Sequence, residues 1–216
     1  SIMKIQYSYL KNFLNTQLSQ KKLCDVFTQV GFECEIDENI IEFDITPNRG
    51  DVLSLRGLER EFHANQATKP SQKLKFLPLK LIKDKKIINQ IDGSGCGNYH
   101  LMLVKSLQKI KNLDAKKRSF LESAGIPLIH PLVDLGNYVM LEIGAPMHVF
   151  DLSKLALPIN VQFPKASNNS VTVIGGEVKD IKSSSLTIQD KSGIQAIAGI
   201  IGNEASSVSS NTTNIA

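Results

Sequence analysis

Ile45-Thr-Pro-Asn-Arg-Gly-Asp-Val-Leu-Ser-Leu-Arg-Gly-Leu-Glu-Arg-Glu61 is the stretch on which the reading of this chain turns. Pro47 fixes its own φ and pushes Thr46 toward extended geometry, so Thr46–Asp51 reads as a loop of breakers. Asp51 can accept from the free amides at a helix start, and Leu55, Leu58 and Phe62 then recur on one helical face. Arg49 can bridge to a carboxylate, or reach out to RNA or a neighbouring subunit. A rigid corner between strand and helix accounts for the same loop.

Upstream, residues 19–31 have the pattern of a helix. Ser19 is placed to cap it, Leu23, Val26, Phe27 and Val30 share a face, and Gly31 supplies the left-handed stop. Phe32–Ile36 alternates as a half-buried strand does, Asp37–Asn39 is a turn, and Ile40–Ile45 pairs back as a hairpin. This is a unit of about 65 residues, small but able to fold alone. Lys69-Pro-Ser-Gln72 reads as a linker, and past it the pattern changes. Leu77–Ile82 is a strand candidate, Gly93–Gly97 a loop, and Tyr99–Val104 is apolar enough for a central strand. Asp114 can cap a helix that runs to Glu122 and stops at Gly125. Val133–Gly144 is an apolar helix or a strand-to-helix passage bearing Asn137. Short strands follow at Ile159–Phe163, Val171–Ile174, Leu186–Ile188 and Ile194–Ile201. The fold class is α+β in two domains, 1–70 and 71–216.

The 216 residues are 42% hydrophobic and 21% charged, which is ordinary globular usage. Cys24, Cys34 and Cys96 make no CxxC pair, disulfide framework or zinc motif, so a reducing, cytoplasmic setting is the default. No run approaches the ~20 apolar residues of a membrane span. The net charge of +4 is unevenly spread: residues 76–125 hold ten basic residues against four acids. Only four arginines occur in the chain, so this positive charge is mostly lysine, a point charge rather than a planar fork. It offers weak, sequence-independent attraction to RNA phosphates, and a solvated lysine face explains it too.

Two further stretches carry candidate chemistry. Val133–Asp151 brings Asn137, Glu142 and His148 together in sequence amid apolar residues, as small-molecule pockets do. A histidine beside Phe150 and Asp151 is equally at home as a satisfied turn residue. Gln195–Ser206 is a strand of small and branched residues in which Gly199 and Gly202 let backbone approach a ligand closely, or mark a bulge. There is no phosphate-binding glycine loop of the nucleotide-hydrolase type, no metal motif, and no spacing that picks out a nucleophile–base pair.

Taken together, these motifs resemble the N-terminal region of bacterial phenylalanyl-tRNA synthetase β subunits. The matching stretches are Gly31-Phe-Glu33, Ile45–Glu61, Ala124-Gly-Ile126, Val133-Asp134, Asn137–Glu142, Pro146-Met-His148 with Phe150-Asp151, and Ala198-Gly-Ile-Ile-Gly202. The resemblance covers nearly the whole chain. It implies a small helix-and-strand domain (B1-like, 1–70) followed by a mixed α/β editing domain (B3/B4-like, 71–216). The OB-type tRNA-binding domain that most members insert in the first domain is replaced here by Ile36–Asn39 alone. Gly136 stands where the family has threonine, Ala145 where it has glutamine, and Asn203 where it has a second glycine.

What the resemblance implies is a piece of an aminoacyl-tRNA synthetase. Its editing pocket, lined by Gly136, Asn137, His148, Ala198, Gly199 and Gly202, would hydrolyse tyrosine mischarged onto tRNA(Phe). The partners implied are the catalytic α subunit of a heterotetramer and tRNA(Phe), with no membrane. ATP and magnesium serve the parent enzyme on the other subunit, and no cofactor is implied for this chain. The family's acidic residue that meets the tyrosine hydroxyl comes just beyond a stretch like Thr212–Ala216, which implies an incomplete pocket. Gly136 removes a hydroxyl and implies weakened or reshaped editing. A free-standing hydrolase acting in trans and a non-enzymatic RNA- or protein-binding module are the alternatives.

Overall fold

Strand β2 (Glu33–Asp37) turns at Glu38 and Asn39 into β3 (Ile40–Asp44), with Cys34 opposite Phe43 and Ile36 opposite Ile41. The hairpin expected from alternation is therefore present, and its connection is the two-residue turn Glu38–Asn39. The structure, a computed structural model, describes residues 1–70, 78, 82–108, 110–165 and 169–216. On the other side of β3 lies β1 (Ile2–Gln6), giving an antiparallel sheet of order β1-β3-β2. β1 runs straight into α1 (Tyr7–Leu14), a helix without a capping side chain. The Tyr7 amide is satisfied instead by the Asn39 carbonyl at 2.7 Å.

α2 (Gln20–Gln29) begins at Ser19, whose hydroxyl accepts from the Lys22 amide, and Gly31 follows it at φ 96°. α3 (Leu55–Asn65) is capped by Ser54, accepting from the Gly57 amide at 3.0 Å, rather than by Asp51. Residues Gly50–Val52 form a single tight 3-10 turn before it. Phe27 meets Phe43 edge-on at 5.0 Å and lies 6.3 Å from Phe62, between sheet and helices. Ile5, Leu10, Leu23, Ile41, Leu55 and Leu58 are fully buried in the same core. Each such side chain contributes about 1.5–3 kcal/mol by leaving water.

α4 (Ala115–Ser123) and α5 (Pro131–Ile143) join this core, through Phe120, Leu121 and Tyr138. Asp114 caps α4 as expected, accepting from the Lys117 amide at 3.0 Å, and Gly144 ends α5 in the left-handed region. The chain thus falls into two compact units, Ser1–Leu77 with Lys111–Met147 and Pro78–Ile110 with His148–Ala216. This differs from a single cut at 70/71, because the apolar faces of α4 and α5 are buried with the N-terminal elements.

The second unit is built on a five-stranded sheet of order β10-β9-β8-β5-β4. Its strands are β4 (Ile88–Ile91), β5 (Ile159–Gln162), β8 (Thr187–Asp190), β9 (Gly193–Ile197) and β10 (Ile201–Gly202). Only the β4–β5 pair is parallel. β6 (Asn169–Thr172) and β7 (Val178–Ile181) form a separate hairpin. Two expectations change here. Tyr99–Val104 is not a central strand: Leu101 and Leu103 pack on the core, but only Val104 pairs, with Ile215. Ile194–Ile201 is not one strand, because Gly199 at φ 71° turns the chain between β9 and β10. The strand expected at Leu77–Ile82 lies outside the described residues except for 78 and 82. No helix among the described residues is long and apolar enough to cross a membrane.

Candidate functional site

The β9–β10 hairpin sets the site. Ile201 pairs with Ile197 and Gly202 with Ala196, and the Ala198 amide donates across to Leu186 at 2.9 Å. Gly202 is buried, its carbonyl accepting from the Ile174 amide at 3.0 Å. The His148 ring lies directly on it. A Cβ at position 202 would sit 2.2 Å from His148 Cε1 and 2.7 Å from Nε2, so the close approach requires glycine. Phe150 supports the ring edge-on, centroids 4.3 Å apart. Desolvation by these neighbours holds the imidazole pKa below its ordinary value, although the residue keeps an exposed side. That shift favours the neutral imidazole, which can both donate and accept a hydrogen bond.

Of the six pocket residues expected from sequence, His148, Ala198, Gly199 and Gly202 lie in the second unit, and the structure brings His148 and Gly202 into contact. Gly136 and Asn137 lie on α5 of the first unit, both half-buried. At Gly136 an added Cβ would meet only the Met147 carbonyl, at 4.0 Å, so there is room for a larger side chain.

Arg49 is engaged within the chain. Its Nε and Nη2 donate to the two Asp51 carboxylate oxygens at 3.0 Å, and Nη2 also donates to Glu61 Oε1 at 2.6 Å. Its guanidinium lies over the Phe32 ring at 5.0 Å. Arg60 adds a third bond to the Asp51 carboxylate at 2.9 Å, so this loop is clamped as a corner. Gly57, which sequence reasoning passed over, has a steric role in the same corner: a Cβ there would lie 2.3 Å from the Asp51 carbonyl oxygen and 2.6 Å from Val52 Cα. A glycine one turn into a helix, just after a breaker-rich loop, was the available signal.

Sequence reasoning also missed a cleft of about 1040 Å³ in the second unit, whose lining includes Gln162, Ser170, Thr172, Gln189, Gln195 and Asn203. Asn203 lines this cleft while its neighbour Gly202 meets His148. The Gln195 amide is already bonded to Asp190 and Ser192, both at 2.9 Å. Its residues are scattered through four strands and the segment after β10, with no local motif to announce them. Among the described residues no group of three His, Cys, Asp or Glu side chains is placed to hold a metal ion.

The chain is an α+β protein whose candidate site is an imidazole seated on a glycine hairpin. More narrowly, residues 95–216 match the B3/4 domain model, and the chain belongs to that family. The match crosses both units. The phenylalanine–tRNA ligase β subunit of Mannheimia succiniciproducens is 36% identical over 184 residues, 83% of this chain and 22% of that protein. Its counterpart in Francisella tularensis is 36% identical over 190 residues, 88% of this chain and 24% of that protein. The chain thus spans less than a quarter of the length of these curated relatives. A solved N-terminal fragment of the Pyrococcus horikoshii phenylalanyl-tRNA synthetase β-subunit matches all of this chain and 66% of that one, at 15% identity and a TM-score of 0.46.

Proposed function

We propose that this chain is the editing-type part of a phenylalanine–tRNA ligase β subunit and takes part in clearing tyrosine esterified to tRNA(Phe). An apolar synthetic pocket rejects an added hydroxyl only about 100-fold, so tyrosine leaks through. A second site can use the converse rule: polar groups poised for that hydroxyl are left unpaired by phenylalanine, at about 1–3 kcal/mol per buried group. The observation that carries the reading is the His148 ring laid on Gly202, a polar group against bare backbone that a Cβ at that position would crowd. Ala198 and Gly199 lie on the same hairpin; the resemblance also assigns Gly136 and Asn137, on α5 of the first unit, to binding. No side chain is assigned as a catalyst; the hydrolytic water would be oriented by the pocket.

In the whole ligase the partners are the α subunit and tRNA(Phe), in the cytoplasm, with ATP and magnesium serving aminoacylation on the other subunit.

The test is hydrolysis of Tyr-tRNA(Phe) and Phe-tRNA(Phe) by the full-length subunit in its ligase. The tyrosyl ester is cleaved at least about 10-fold faster, and His148→Ala removes that preference. Equal rates for the two esters, or a preference that survives His148→Ala, would contradict the proposal.

A further inference from the structure

Helix α5 seats Tyr138 and Leu141 on the core of the first unit, carries polar groups along the same side, and leaves other apolar residues exposed. Asp134, Tyr138 and Glu142 recur every four residues and so share one side. Asp134 and Tyr138 are the buried residues of the helix, while Leu135 and Ile143 are 46% and 42% exposed. The helix is also held by directed polar contacts, spaced along its length.

Near the start, Asp134 Oδ1 accepts from the Ile129 amide at 2.9 Å and the His130 amide at 3.4 Å. At the middle, the Tyr138 and Tyr9 hydroxyls are 3.0 Å apart. At the end, Arg56 Nη2 donates to Glu142 Oε1 at 3.0 Å, while Nη1 donates to Glu59 Oε2 at 2.9 Å. The same guanidinium lies over the Phe13 ring at 4.8 Å. Arg56 therefore ties α1, α3 and α5 together at one point, within the first unit and largely out of water. Charge-assisted bonds of this kind fix the rotation of a helix, where apolar contact alone lets it turn or slide. Gly136 and Asn137 stand between the Asp134 and Glu142 anchors, next to Tyr138.

We propose that Arg56 is a positioning residue: through Glu142 it sets the rotation of α5 and so the direction in which Asn137 is presented. The functional consequence rests on the reading above, in which Asn137 belongs to the editing pocket. Lysine cannot replace the guanidinium fully, because a point charge does not span two carboxylates as a planar fork does.

The experiment uses the full-length subunit in its ligase and follows two readouts, Tyr-tRNA(Phe) hydrolysis and amide hydrogen exchange over residues 131–143. Arg56→Met lowers kcat for the tyrosyl ester about 10- to 100-fold, the scale of a displaced positioning group, with KM little changed. Glu142→Gln does the same, and the double variant is no worse than either single one, as expected for one shared contact. Arg56→Lys recovers part of the loss. Glu59→Gln, which spares the Arg56–Glu142 bond, keeps kcat near wild type even where it lowers thermal stability. In Arg56→Met the α5 amides exchange about tenfold faster while those of α2 do not change. Wild-type kcat in Arg56→Met, or a matching loss in Glu59→Gln, overturns the proposal. If the wild-type protein does not hydrolyse Tyr-tRNA(Phe), the functional reading falls. The exchange readout then decides the seating of α5, and unchanged α5 exchange in Arg56→Met overturns it.

Discussion

Asp51 is an exposed carboxylate held by two arginines, and its chemistry shows at low pH. Arg49 first, then Arg60, pull its pKa from the ordinary 3.8 to about 2. The folded value lies below the unfolded one, so this group's contribution is complete above about pH 4 and is lost as pH falls toward 2. Urea unfolding at stepped pH should therefore show a shallower loss of stability between pH 4 and 2 for Asp51→Asn than for the parent chain. An unchanged acid slope would contradict the clamp. The sequence showed that Asp51 and Arg49 had work to do, but assigned Asp51 to the helix cap that Ser54 provides. The two lie three residues apart in one loop, and only the actual turn at Gly50–Val52 decides which reaches the free amides. Gly202 was legible as a place of close approach, yet the approaching group was identified only by the fold.

At the scale of elements, legibility followed local chemistry. Ser19, Asp114 and the stops at Gly31, Gly125 and Gly144 each announce a helix end by a residue type that suits it, and each holds in the structure. α1 lacks a capping side chain and begins directly from a strand, so nothing in its sequence marks a start. Its first amide is closed by Asn39, a contact between residues far apart in the chain. Nothing in the pattern of residues 212–216 marks a paired segment, because its pairing is likewise non-local. Ile215 bridges to both Val104 and Asp151, and the Phe150 and Ala216 backbones bond reciprocally. Within it the Thr212 hydroxyl donates to Asp151 Oδ2 at 2.7 Å, both residues being buried. Thr212→Val keeps the shape and strands that oxygen, at a cost of about 1–3 kcal/mol. Urea unfolding of the chain measures it, and a loss below about 0.5 kcal/mol, the range of ordinary surface changes, would show that the bond does not matter.

At the scale of the whole molecule, the α+β class and a two-part organisation could be read from pattern, while the partition of the chain could not. α4 and α5 follow the linker in sequence but bury Phe120, Leu121 and Tyr138 with the N-terminal core, and a linear reading has no access to that. His148 and the Gly199–Gly202 hairpin belong to one unit, and Gly136 and Asn137 to the other. The central claim is that the His148–Gly202 contact forms the floor of a site for the tyrosyl end of tRNA. The most direct measurement is an amide chemical-shift titration of this chain with 3′-tyrosylamino-3′-deoxyadenosine, a hydrolysis-resistant stand-in for that end. The account predicts that the largest shifts fall at His148, Gly199 and Gly202, and that the phenylalanyl analogue moves them less. Shifts gathered instead around Gln162, Gln195 and Asn203, or an equal response to both analogues, would contradict it.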